Sequence, residues 1–505
     1  GRLDVGHAAL QADGVAASFN GSLDLAVPGA AEDGVGAGQP WRHLSLEGDF
    51  GSMTLKQLLA LWPKPFAAIT RDWFAANLEQ AQFQAPRIEV DMSAADLAAG
   101  DLPEDSIDLR FGLADAVLHY LRPMSPIRGM SGEGRLTQDA FTLSDAAGTL
   151  DGMRISDGAV TIARLQEPLP LADIRHRIEG AIAGMLALLG QKPLELPQRT
   201  GLDPAAVGGN AGLDVSLAFP LREGLDMTDI SYGIAGPLSG VEMRDVIGDI
   251  DLSRGALQVS ADRNGLDAKG EGRLAGVPAG IEWRQPFDGG DPARFRIRAR
   301  LDDLQRARWG VDLEPFVTGP VGADLTFLER GGGSWEMGAS LDLEAARLAV
   351  PALHLDKPAG MPATAALRGE VGPDGVSALS VDNLVGPGLG VTAQVSLTDG
   401  AVSRVDLPRL EIGASNMSGW AQANPNGIWS VFLQGAQADL RPYLDGMADG
   451  VDAEGPAGRR APPPTGVSAD LVLNVSRAII TDDFVTTDLA MEVGLRDGLI
   501  ERLQG

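Results

Sequence analysis

Apolar and polar residues alternate along most of this chain. In RFRIRARL (294–301), Phe295, Ile297, Ala299 and Leu301 share one face, and Arg294, Arg296, Arg298 and Arg300 share the other. LDVSLAF (213–219) groups Leu213, Val215, Leu217 and Phe219 in the same way. The pattern returns at Leu257 and Val259, at Leu471, Leu473 and Val475, and at Met491 and Val493. A period of two predicts strands, and one wet face per strand predicts antiparallel sheet. Asp-Gly steps at Asp13, Asp33, Asp151, Asp157, Asp288, Asp374, Asp399, Asp445, Asp449 and Asp497, and Asn-Gly steps at Asn20, Asn264 and Asn426, supply residues that tolerate the positive φ of tight hairpins. The expectation is a long meander of hairpins. Segments 131–162, 248–283 and 367–402 repeat its rhythm irregularly, and the first two share GEGRL.

Three stretches break the alternation and predict helices. LLALWPKPFAAITRDWFAANLEQAQF (58–83) concentrates aromatic residues, with Phe66, Ile69, Trp73 and Phe74 near one helical face. A second helix is predicted at about 171–190, stopped by Gly190 and Pro193, and a short third at 439–447. Gly- and Pro-rich runs at 28–40 and 446–466 predict flexible excursions. The organisation expected is therefore N-terminal strands over 1–45, a strand plus the aromatic helix over 46–90, repeated hairpins over 91–445, a flexible loop over 446–466 and further strands over 467–505.

The composition narrows what such a sheet does. Of 505 residues 44% are hydrophobic, enough to fold, yet only 5% are aromatic. Sandwich cores lean on aromatic rings to fill the space between sheets. Here the inward positions are mostly Leu, Val, Ile, Ala and Met. One sheet curled into an elongated apolar groove, filled by something else apolar, suits that composition. The net charge of −28 disfavours nucleic acid as a partner and disfavours broad contact with anionic lipid surfaces. There is no cysteine, hence no disulfide and no thiolate metal site.

Catalytic and metal-binding patterns are missing. The five histidines, His7, His43, His119, His176 and His354, show no ligand spacing, and no nucleophile elbow or phosphate loop occurs. Asp249 and Asp251 share a strand face, and the arginines 294–300 form a stripe; both read best as solvated outer faces. No cofactor, no metal and no enzymatic activity is expected.

Several stretches together resemble the AsmA-like envelope proteins of Gram-negative bacteria, most closely the YhdP-type branch, with TamB more distant. They are the strand–helix passage 46–90 with its Trp62-Pro63 step, GRLTQDAFTLSDAAGTLDGMRISDGAVTI (134–162), and GMLALLGQKPLELPQRTGLDPAAVGGNAGLDVSLAFPL (184–221). The resemblance implies a bridge-like conduit that carries phospholipid between inner and outer membranes through a hydrophobic β-groove. It further implies a periplasmic location, an inner-membrane anchor outside this chain, and contact with both membranes through parts outside this chain. The chain then reads as the central portion of a longer protein. The groove lining expected from alternation is Leu213, Val215, Leu217, Phe219, Leu257, Val259, Phe295, Ile297, Leu471, Leu473, Val475, Met491 and Val493. Trp62, Phe66, Trp73 and Phe74 are candidates to cap the groove. A structural or adhesive β-repeat envelope protein without lipid transport is the competing expectation.

Overall fold

The computed structural model describes residues 1–12, 14–26, 40–62, 68–99, 102–120, 122–192, 203–222, 224–226, 228–247, 250–287, 290–331, 333–372, 375–398, 401–448, 468–496 and 499–505. Among them 27 strands join in one hydrogen-bonded sheet that does not close into a barrel, and three short strands form a second sheet. Pairing is almost wholly antiparallel between strands that follow one another, as hairpin turns dictate. Asp151 and Gly152 make one such turn, with φ of +48° and +82°.

Three expected turns are something else. Asp445-Gly446 lies inside the helix Arg441–Ala448. Asn20-Gly21 lies inside the strand Val15–Leu25, where a Cβ on Gly21 would come 2.4 Å from the Ser45 carbonyl oxygen. That glycine admits a close neighbouring strand. Asp157-Gly158 lies inside the strand Met153–Ala163, with Asp157 at φ +51°. It marks a bulge. The Asp-Gly steps at Asp13, Asp33, Asp288, Asp374, Asp399, Asp449 and Asp497 begin outside the described residues, as do Phe66, Asp249, 28–39 and 449–467.

The chain divides into two compact units, one of residues 1–246 with 252–268, the other of residues 247–251 with 269–505. In the first unit, bulges recur on successive strands. Register shifts fall beside Asp115, Gly129 and Asp145, and another faces Asp157. All four residues have positive φ. A bulge adds a residue to one strand and bends it, so a series on adjacent strands creases the sheet. The helices Leu55–Leu61 and Ile182–Leu189 follow strands of the same direction, and Ala68–Asn77 leads into the strand Leu78–Ser93, which runs the opposite way, so all three gather at one rim. The first is closed by a capping box between Thr54 and Gln57.

The helix expected at about 171–190 is a correction. Residues Leu171–Ala181 are a strand, paired on both sides, and only Ile182–Leu189 is helical. The first half has a period of two that its charges obscured. Ala172, Ile174, His176 and Ile178 face one way, while Asp173, Arg175, Arg177 and Glu179 face the other. His176 is therefore a strand residue. The short third helix is Arg441–Ala448.

In the second unit the ends of the strands Arg294–Leu301, Ser334–Asp342 and Trp429–Asp439 carry, respectively, the helix Asp303–Arg308, the three-stranded flap and the helix Arg441–Ala448. These strands run the same way, so the additions again share one rim. The flap consists of Val317–Thr318, Arg347–Val350 and Leu355–Lys357. Two buried cations hold it. Lys357 donates to the Leu343 and Ala346 carbonyls at 2.6 Å each, and Arg306 donates to the Gly319 carbonyl at 2.6 Å and the Val317 carbonyl at 3.0 Å. The strands Trp429–Asp439 and Ala469–Ile479 are parallel.

Candidate functional site

Directly paired residues on neighbouring strands put their side chains on the same face. Following one such row across the second unit gives Trp283, Phe295, Phe327, Met337, Gly369, Leu379, Val395, Val405, Ala421, Val431, Leu471, Val493 and Leu503. Each residue is paired with the next, and none is polar. A parallel row runs through Ala279, Ala299, Ala323, Leu341, Ala365, Leu384, Val391, Leu410, Met417, Gly435, Val475 and Leu489. Between them lie Ile281, Ile297, Leu325, Ala339 and Leu367 on the early strands, and Leu433, Leu473 and Met491 on the late ones. The flap packs over one margin of this band, where Val317, Leu348 and Leu355 meet Val321, Ala365 and Leu389. Further in, Met337, Leu379, Val395, Val405, Val431 and Leu471 are only half-buried. The band is a trough with one roofed margin.

The opposite face is polar and neutralises itself. Arg296 donates to Asp324 at 2.6 Å, and Arg298 reaches Glu282 at 3.1 Å and Asp324 at 3.4 Å. The Arg296 bond holds the Asp324 carboxyl below its usual range. Two charges of the 294–300 stripe are therefore spent within the sheet. One apolar interruption stands out on this face, where Trp420, Phe432 and Val472 are paired in a row and the Arg404 guanidinium lies 5.1 Å from the Trp420 ring centre.

The first unit has its own apolar row, through Ala8, Phe19, Gly48, Ile88, Leu109, Leu136, Phe141, Ile162, Ala172 and Phe219. Here the rim helices shut much of the face. Phe74 from the helix Ala68–Asn77 meets Trp62, Phe83 and Phe141, with ring centres 5.8, 6.2 and 5.6 Å away. Trp62, Phe74 and Phe83 are buried, and Trp73 packs at the edge of the cluster. Three of the four expected cap residues thus sit on the apolar face; Phe66 is outside the described residues.

Next to this cluster lies a cavity of about 150 Å³. Its floor includes Ile174, His176 and Ile178 on one strand and Leu213, Val215, Leu217 and Phe219 on the next; Met185, Leu188 and Leu189 of the helix Ile182–Leu189 form its roof. Met130, Ala146 and Gly158, beside the bulges, line it too. Burial lowers the pKa of His176, so the imidazole is neutral at neutral pH, and burial raises that of Tyr120.

The expected lining residues fall into three groups. Leu213, Val215, Leu217 and Phe219 come together in the cavity. Phe295, Ile297, Leu471, Leu473, Val475, Met491 and Val493 take their places in the trough of the second unit. Leu257 is buried and Val259 half-buried in the first unit. Alternation missed His176 and the roof, because a strand was read as helix, and missed Tyr120 and Met124, which lie in a connection without period.

A family model described as YhdP protein matches residues 1–489. The chain belongs to the YhdP family. That membership is consistent with an envelope protein of the AsmA-like group, a structural or transport-type family and not an enzyme family. No curated protein and no solved structure matches the chain. No cluster of three or more metal-binding side chains occurs among the described residues. Nor is any described helix long and apolar enough to cross a membrane.

Proposed function

We propose that this chain carries phospholipid through the periplasm between the inner and outer membranes, with acyl chains sliding along the apolar faces of its sheet. The observation that carries the reading is the unbroken apolar row from Trp283 to Leu503. A protein that needed these strands only as a scaffold would gain by covering them. Half-exposed Leu and Val side chains forgo part of the roughly 1.5–3 kcal/mol that full burial of each would contribute. A moving hydrocarbon guest recovers that loss, and a row without a polar step gives it no barrier. Family membership supports an envelope setting. Anchoring in the inner membrane and contact with both membranes belong to the same proposal, through parts of the protein beyond this chain.

Mass spectrometry of an organic extract of the purified chain tests the reading. Copurifying phospholipid is expected. A protein free of lipid after purification without detergent would favour a structural β-repeat role instead.

A further inference from the structure

The cavity under the helix Ile182–Leu189 is apolar except for a few side chains. Arg175 borders it from the strand, but its side chain is on the opposite face, paired with Asp173 at 3.1 Å. The Tyr120 hydroxyl has only the Met124 thioether, at 3.9 Å. His176 sits on the floor, in one register row with Val215 and Ile234. Its ring nitrogens meet no hydrogen-bond partner among the described residues. A neutral imidazole always offers one N–H donor and one acceptor, whichever tautomer it holds. His176 is half-buried, so a guest that covers the ring must replace the hydrogen bond that water gives up, and pockets fix their guests with a few such polar groups among apolar walls.

We propose that this cavity is a binding site for the carbonyl end of one acyl ester, with His176 donating a hydrogen bond to the ester carbonyl oxygen. The size agrees. An apolar cavity of this volume takes a guest of about six carbons, which is the first stretch of an acyl chain. The remainder of the chain lies along the apolar face outside. The proposal rests on the lipid reading above and adds to it a fixed stopping point that recognises the ester linkage, where the trough of the second unit recognises hydrocarbon alone. Phospholipids with ester and with ether linkages therefore separate the two kinds of contact, because an ether oxygen is a much poorer acceptor than a carbonyl.

The test uses the whole chain with a photo-crosslinking residue at Leu217, and in a second protein at Leu471. Each is mixed with vesicles holding equal amounts of diester and diether phosphatidylethanolamine of the same chain length. At Leu217 the ester lipid should be captured about three- to tenfold more, the preference one hydrogen bond gives. His176→Phe should remove the preference and keep the capture, and His176→Gln, which retains a donor, should keep part of the preference. At Leu471 the two lipids should be captured equally in every variant. Equal capture at Leu217 in the unmodified background, or a preference that survives His176→Phe, overturns the proposal and leaves the conduit standing. Capture at neither position overturns the conduit itself, and this site with it.

Discussion

Phe83 in the first unit has none of its surface exposed, whereas Val405, on the apolar face of the second, is half-buried. Both lie on strands of the same alternating kind. The difference comes from what the rims supply. In the first unit the helices Leu55–Leu61, Ala68–Asn77 and Ile182–Leu189 fold over the face, and Trp62, Phe74, Phe83, Phe111 and Phe141 pack in a chain of rings. In the second unit the flap covers one margin, and rows of Leu and Val are left open beside it. The same strand chemistry thus makes a core where something local covers it and a trough where nothing does.

The largest effect should come from truncating the covered face. Phe83→Ala removes a ring at full burial and should cost about 3–5 kcal/mol. Val405→Ala should cost about 1 kcal/mol or less, because little of its surface leaves water. Calorimetric melts of the two variants decide the matter; equal losses would mean that the second face is also a sealed core. Charge sharpens the contrast. Val405→Asp should leave the melt within about 1 kcal/mol and slow lipid transfer between vesicles at least tenfold, since a sliding chain meets a charge that costs a few kcal/mol to desolvate. Normal transfer by that folded variant would remove the second face from the path.

Two smaller effects follow. The pKa of His176 is lowered from 6.5 by burial, so as the pH falls the unfolded chain takes up the proton first. Stability is complete above about 6.5 and is lost as the pH drops toward the folded value. His176→Phe should flatten the stability profile below about pH 6.5, and an unchanged slope would mean that the imidazole is solvated. On the polar face, Arg296→Ala should cost less than about 1 kcal/mol, and less again at high salt, because the Arg296–Asp324 pair is about one-third exposed on both sides. A larger cost, insensitive to salt in denaturation, would show that the polar face is covered.

The trough was legible in the sequence because alternation with a wet face is a strong signal. Leu471, Leu473 and Val475 could be placed from VSADLVLNV alone. What the sequence hid was local and physical. Leu171–Ala181 alternates, but its charges and the apolar run after it imitate a helix with a stop. Positive φ at Asp115, Asp145 and Asp157 bends strands from within; Asp157-Gly158 looks the same in a turn and in a bulge, and Asp115-Ala116 and Asp145-Ala146 carry no turn signal at all. The roof over the first unit was half visible, since the aromatic helix declared itself at 58–83. Where it would land could not be read, because burial depends on partners far away in the chain.

Leu471 and Val472 offer the most direct measurement. They are neighbours, both apolar and both half-buried, and they face opposite sides of the sheet. Leu471 belongs to the row from Trp283 to Leu503; Val472 stands beside Phe432 on the polar side. A photo-crosslinker at each position, exposed to light in cells, separates facing from hydrophobicity. Phospholipid captured at Leu471 and absent at Val472 is the predicted result. Equal capture at both, or capture at Val472 alone, would contradict a lipid path along the apolar face.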